Sequence, residues 1–395
     1  MKIVLVNNVF ASGSTGNIVK NLFEEFNKNG HDAYVIFGRG KKQNDPKIIK
    51  KTCELESKIH HFFSLISGNM YGGMFFSTNR IKKEIKHIKP DVVNLHCING
   101  YFVNIYHLLK WLAKNKIKTV LTMHAEFMMT GGCGYTVDCN NHINCGCKNC
   151  EFYKQFNGKF SLNATHKNYI KLQNSLRLFR KEDIKVTCVS PWLKNRFLQS
   201  PLYKNIDIDV ILNPVDGIFF NENGENPYKN SKNILYVTPD INDYVKYGWL
   251  IKDVASKRPD LNFTIVCSKD VDFKFENKNI NYVKGGASKE KLRDYYHYAD
   301  GTILLSKRET FSMVVAESLV CGTPVYGFKS GGPETIGIDK YCKFVDFGEL
   351  DLLCNALGNI KNSKAEISKI ASDKYSLEKI ANNYVEVYKC ITMFH

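Results

Sequence analysis

Apolar and polar positions along the chain fall into a repeating scheme. Short runs such as "KIVLVNN", "DAYVIFG", "DVVNLHC", "KTVLTMH" and "VTCVS" are mostly apolar and do not alternate strictly with polar residues. Runs of that kind are expected of strands buried on both faces, as in parallel sheets. Between them lie longer stretches of helical period, among them "GNIVKNLFEEFNKNG", "IYHLLKWLAKN" and "PWLKNRFLQ". The scheme returns in the second half, with "NILYVTP", "FTIVC", "INYVKG", "GTILLS" and "TPVYGF" as short runs and "KEKLRDYYHYAD" and "MVVAESLVCG" as helical stretches. Two successive blocks of this kind predict an α/β chain with two Rossmann-like, doubly wound domains. Ligands bind beyond the carboxyl ends of such strands, so the two domains are expected to face each other across a cleft.

Turn signals at Asn213-Pro214 and Asp216-Gly217 mark the boundary. The expected division is an N-terminal domain over 1–214, a second domain over 215–372 and a C-terminal helix over 373–395 that crosses back to the first domain. That helix carries Leu377, Ile380, Tyr384 and Val387 on one face. A chain of 395 residues is long enough for two cores.

Hydrophobic content of 44% and charged content of 24% are those of a soluble globular protein. No uncharged apolar run reaches the roughly 18 residues of a membrane span. The opening "MKIVLVNNVF" reads as a first strand rather than a signal peptide, so a cytoplasmic location with reduced thiols is expected. The net charge of +16 is uneven: residues 1–200 carry 30 Lys and Arg against 13 Asp and Glu, residues 201–395 carry 25 against 26. The basic half suits an anionic partner (a membrane surface, a phosphorylated lipid or nucleic acid), although a lysine-rich solvated surface gives the same imbalance. The stretch "KIHHFFSLISGNMYGGMFFSTNRIKKEIKHIK" mixes Phe62, Phe63, Phe75 and Phe76 with Lys82, Lys83, Lys86 and Lys89. It is expected to contact the inner face of an anionic membrane, the alternative being a packed helix followed by a solvated one.

The most specific chemistry lies in "SKRETFSMVVAESLVCGTPVYGFKSGGPETI", residues 306–336. Glu309 falls in the loop after "GTILLS" and Glu317 inside the helix that follows. Carboxylates so placed can accept hydrogen bonds from vicinal hydroxyls of a sugar or ribose, and amides at a helix N-terminus can hold phosphate. Gly331-Gly332 lets backbone approach a ligand closely.

This stretch resembles the E-x7-E region of retaining glycosyltransferases with the GT-B fold, of the glycosyltransferase family 4 type. The resemblance extends through "GGASKEKLRDYYHYADGTILLS", "VILNPVDGIFF" and the C-terminal helix, and so covers nearly the whole chain. It implies transfer of a sugar from a nucleotide-sugar of UDP or GDP type to a glycan or lipid-linked saccharide. Glu309, His124 and Lys246 would carry catalysis. Glu317, Gly331, Gly332 and the amides of Phe311 and Ser312 would bind the donor, together with Gly13 and Gly16 of "NVFASGSTGNIVK". His96, Asn99 and Tyr101 would lie on the acceptor side. The family's diphosphate-clamping arginine is missing, because Thr238, Pro239 or Asp240 stands at its place; Lys307 or Arg308 could substitute. No cofactor is expected for catalysis, and the sugar-type motifs argue against nucleic acid as a partner.

A subset of these transferases, from capsule, O-antigen and colanic-acid-type clusters, carries T-G-x-C, a further Cys and G-C-x-x-C. Here these are Cys133, Cys139, Cys147 and Cys150, on an insertion over 130–151. Four such thiolates can close a structural zinc site. Cys145 is spare or replaces Cys139, and free thiols or disulfides are the alternatives. A nucleotide-sugar epimerase of related fold and a degenerate, non-catalytic binding protein are the competing functions.

Overall fold

The structure is a computed structural model that describes residues 1–221, 224–229, 232–269, 275–359 and 363–393, without the side chains of residues 156 and 157. The chain divides into two compact units, Met1–Ile211 with Ile380–His395, and Leu212–Lys379.

The first unit is built on seven parallel strands: β1 (Lys2–Val9), β2 (Asp32–Arg39), β3 (Ile48–Lys50), β4 (Val92–Leu95), β5 (Thr119–Met123), β6 (Ile184–Cys188) and β7 (Ile208–Val210). Their order is β3-β2-β1-β4-β5-β6-β7. Every residue of β4 and β5 is buried, which is why those runs carry no polar alternation. Four of the covering helices are α1 (Gly13–Lys28), α2 (Glu54–Ser67), α3 (Phe75–Ile88) and α4 (Ile105–Lys114). Polar residues inside this sheet need partners, and the C-terminal helix Leu377–Thr392 supplies one. Asn94 Nδ2 donates to the Tyr388 hydroxyl at 2.7 Å, Thr122 Oγ1 donates to Asn94 Oδ1 at 2.9 Å, and Thr122 and Thr187 share a 2.9 Å bond.

The second unit has six parallel strands: β8 (Asn233–Thr238), β9 (Asn262–Cys267), β10 (Ile280–Val283), β11 (Gly301–Leu304), β12 (Val325–Phe328) and β13 (Cys342–Val345). They are ordered β10-β9-β8-β11-β12-β13 around a core that includes Ile234, Phe263, Ile303 and Phe328. In each sheet the strand order reverses once, between β1 and β4 and between β8 and β11. Loops leaving those strands diverge and open a crevice at their carboxyl ends. No helix among the described residues is long and apolar enough to cross a membrane.

Candidate active site

Lys246 follows β8 and Glu309 follows β11, so both stand at the switch point of the second sheet. Lys246 Nζ lies 2.5 Å from Glu309 Oε1, and Ser306 Oγ donates to the same oxygen at 3.0 Å. Glu309 is only 8% exposed, so the ammonium and the hydroxyl replace water that its carboxylate has lost. The backbone is fixed as well. Glu309 N–H donates to Ser330 O at 2.9 Å, and Gly332 N–H donates to Glu309 O at 2.8 Å. A Cβ at position 332 would stand 2.4 Å from Thr310 O, so this approach requires glycine. Gly331 N–H donates to the Glu334 carboxylate at 2.8 Å, which closes the turn.

Ser312 precedes the helix Met313–Val320 with φ of +80°, a strained value for a residue with a side chain. Its buried Oγ has no hydrogen-bond partner, and neither has that of Ser330. Two unsatisfied hydroxyls beside the Glu309 turn are what a polyhydroxylated ligand would satisfy. The Phe311 ring is buried against Tyr375, so Phe311 can offer a ligand only its backbone amide. Glu317 is half-buried on the helix. Desolvation pushes its carboxyl up to about 8, against the downward pull of the neighbouring Tyr296 hydroxyl and the Lys289 charge. Where the family's arginine would stand, Thr238 Oγ1 donates to Asp240 O at 3.0 Å and Asp240 pairs with Lys269 at 2.6 Å. Lys307 holds its ammonium 5.6 Å from the Phe347 ring centre.

In the first unit the expected residues gather at the carboxyl ends of β1, β4 and β5. Gly13 opens α1 with φ of +63°, and Gly16 O accepts from Ala11 N–H at 3.1 Å. His96 and His124 are buried, their rings stacked at 5.3 Å, with Nδ1 of His96 3.1 Å from Nε2 of His124. Burial lowers both pKa values, that of His124 to about 4. Two neutral imidazoles share one proton across that contact. His96 Nε2 has no partner, and a buried lone pair costs less than a buried N–H. The arrangement that fits has His96 Nδ1–H donating, which leaves the proton of His124 on its Nδ1. His96, 2% exposed, thus orients His124 and has little surface to offer an acceptor. Tyr101 packs its ring against His61 and Tyr71 and bonds its hydroxyl to Ser64 at 3.0 Å, which anchors α2. Asn99 stays half-exposed beside Tyr71.

The histidines predict an acid limit to stability. The folded His124 takes its proton near pH 4 and the unfolded one near 6.5, so its neutral burial is harmless above 6.5 and costs progressively more as pH falls to 4. His124→Gln is expected to lose that part of the acid destabilisation, on the order of 2–3 kcal/mol at pH 4. Tm measured at pH 4.5 and 7.5 checks it; an unchanged difference between the two pH values in the variant refutes it.

Several partners were not legible beforehand. Asn7 Oδ1 accepts from Cys97 N–H at 3.0 Å, and a Cβ at Gly100 would collide with the Asn8 side chain. The pair "NN" at the end of the first apolar run was the available signal. Ser306 and Ser330 lie beside Glu309 through the fold, with no motif of their own.

All 13 cysteines are free thiols, and among the described residues no group of three or more His, Cys, Asp or Glu is arranged to hold an ion. Cys133, Cys139, Cys147 and Cys150 do neighbour one another. Burial pushes the Cys133 thiol up to about 12, and Cys139 and Cys150 add to the rise. Cys145 is exposed, with its Sγ 3.4 Å from Asn141 O. The block is braced by buried Glu126, which accepts from Thr136 N–H at 2.8 Å and from Arg196 Nε at 3.1 Å. Gly131 N–H also donates to Cys147 Sγ at 3.2 Å. The chain has two Asp-x-Asp triplets. Asp207-Ile208-Asp209 pairs with Lys181 and Lys185, and Asp270-Val271-Asp272 lies outside the described residues.

Two doubly wound parallel units in one chain are the arrangement of a GT-B glycosyltransferase. The Glycosyltransferase Family 4 profile matches residues 15–217 and that of Glycosyl transferases group 1 matches residues 225–384; the chain belongs to glycosyltransferase family 4. It is 21% identical to the putative colanic acid biosynthesis glycosyl transferase WcaC of Escherichia coli, over 98% of this chain and 100% of that one. Sucrose-phosphate synthase from Thermosynechococcus elongatus shares the fold with a TM-score of 0.67 at 14% identity, over the full length of both chains. HepE of Anabaena, solved in complex with UDP, has a TM-score of 0.65 at 13% identity over 98% of this chain and 99% of that one.

Proposed function

We propose that this glycosyltransferase moves a sugar, with retention at the anomeric carbon, from a UDP- or GDP-sugar to a glycan or lipid-linked saccharide in bacterial surface polysaccharide synthesis. The observation that carries the reading is the Lys246–Glu309 pair, set in a glycine-closed turn beside two unsatisfied serine hydroxyls. In this reading Glu309 accepts hydrogen bonds from donor-sugar hydroxyls. The Lys246 ammonium meets the negative charge that grows on the leaving diphosphate. The amides of Phe311 and Ser312 lie at the start of a helix and suit phosphate oxygens. With the arginine place occupied by the Asp240–Lys269 pair, Lys246 carries more of the clamp. In this reading His124, its ring oriented by His96, contacts the transferred sugar.

The kinship with WcaC supports a surface polysaccharide as the product class, and the UDP-bound HepE supports a uridine donor. The basic aromatic stretch of the first unit supports work at the inner face of a membrane.

A thermal-shift panel of UDP-, GDP-, ADP- and dTDP-sugars tests the donor. A true donor present at 100 times its Kd is expected to add about 2.7 kcal/mol of stability. Transfer to a saccharide acceptor then follows, with the anomeric configuration of the product read by NMR. An inverted product refutes retention, and turnover of the donor without any acceptor into an epimer refutes transfer.

A further inference from the structure

Helix α2 is inside out. Its buried residues are Ser57 and Ser64, which bond to the Tyr101 carbonyl at 2.6 Å and the Tyr101 hydroxyl at 3.0 Å. Its outer stripe is Leu55, Ile59, Phe62, Phe63 and Ile66, each between 44% and 65% exposed. Spacings of four, three, one and three residues keep all five on one helical face. Single exposed apolar residues are ordinary, but a whole face of them marks a surface that something covers.

Beside it lies a groove of about 540 Å³ lined by Phe76, Arg80, Lys82, Lys83, Lys86 and Trp111, along with Asn79. Among the described residues no carboxylate pairs with these four cations, and the acid of α3, Glu84, is taken by Lys51 at 2.6 Å. Lys82 is only 8% exposed, and burial, then the nearby Lys86 charge, pulls its pKa down. Cations packed together without counter-charges favour an anion. The groove and the stripe adjoin. Glu56 of α2 accepts from Phe76 N–H at 3.1 Å and Ser77 N–H at 3.2 Å, and Phe76, 72% exposed, lines the groove itself.

We propose that the outer face of α2 and the groove on α3 and α4 form one docking surface for a bilayer containing anionic phospholipid. Lipid phosphate enters the groove, and the α2 stripe enters the boundary of the acyl region. An exposed apolar face next to cations that no described carboxylate neutralises matches the two layers such a bilayer presents at that depth. This rests on the membrane setting proposed above and assigns it to specific residues.

The test is co-sedimentation of the full-length protein with vesicles of phosphatidylglycerol and phosphatidylcholine, or of phosphatidylcholine alone. Binding is expected to the anionic vesicles. It is expected to fall at least about ten-fold in the Arg80→Glu/Lys83→Glu/Lys86→Glu variant and in the Phe62→Ser/Phe63→Ser variant. Equal binding to both vesicle types, or binding that neither variant weakens, overturns the proposal. So does absence of vesicle binding, whether inorganic phosphate alone then raises the Tm in a groove-dependent way or sedimentation equilibrium shows a dimer that the Phe62→Ser/Phe63→Ser variant breaks. Circular dichroism checks that each variant is folded. Donor binding in the thermal-shift panel, in vesicle-free buffer, separates the two readings. In the variants, lost vesicle binding with intact donor binding supports the docking surface, and wild-type vesicle binding without binding of any donor defeats the nucleotide-sugar reading alone.

Discussion

Lys246→Met and Glu309→Gln are each expected to lower kcat/KM for sugar transfer by about 10²–10³-fold, the usual cost of removing one group that stabilises charge in a transition state. Their effects on stability should follow a different rule. Glu309 is nearly buried, with Lys246 and Ser306 at the same carboxylate oxygen. Lys246→Met leaves that carboxylate without its counter-charge, and Glu309→Gln leaves the ammonium without its own. Each single change is expected to cost roughly 1–3 kcal/mol, less than for a fully buried pair because Lys246 keeps some contact with water. The double variant removes both charges and should recover much of that loss. Activity should not recover with it. Denaturant midpoints and kcat/KM over this four-protein cycle read the two rules apart. If either single variant keeps more than about half of wild-type kcat/KM, the assignment of this pair to the reaction is wrong. If the double variant is as unstable as the two singles combined, the pair is not coupled.

The two parallel sheets were legible because strands covered on both faces must be apolar along their whole length, as β4 and β5 are. Lys246 and Glu309 were legible for a related reason: each closely follows a strand of the second block, and loops after such strands carry ligands. What the sequence could not display is proximity between distant segments. Asn94 and Tyr388 are 294 positions apart, yet the core of the first unit depends on their bond. The contact of His96 with His124, 28 positions away, was equally hidden in the sequence. The run "SKIHHFFSLI" has the apolar content of a core helix, and only the structure shows that Ser57 and Ser64 face inward and Phe62 and Phe63 outward. The cysteines have the spacing of a zinc set, but spacing along the chain does not specify how the thiols converge. Glu126, which braces that block, lies upstream of it with nothing in the local sequence to mark it.

Glu317→Gln is expected to make the protein more stable at pH 8 while weakening its hold on the donor. The Glu317 carboxyl titrates near 8 in the folded chain, against about 4.5 when it is exposed. Between those values the folded state keeps a proton that the unfolded state has lost. The contribution of this group to stability is therefore greatest at low pH, declines as pH rises from 4.5 to 8 and levels off above that. Glutamine does not titrate, so its advantage should reach on the order of 2–4 kcal/mol at pH 8, allowing for partial contact with water, and fade towards pH 5. A carboxyl that resists ionisation is a cost to the fold, and a bound ribose would repay part of it. Hydroxyls donating to the carboxylate favour the ionised form. Donor binding should then release a proton between pH 6 and 8 and tighten as pH rises. Calorimetric titrations in two buffers of different ionisation enthalpy measure that release directly. It should vanish in Glu317→Gln; proton release of the same size in the variant would mean that Glu317 does not meet the donor.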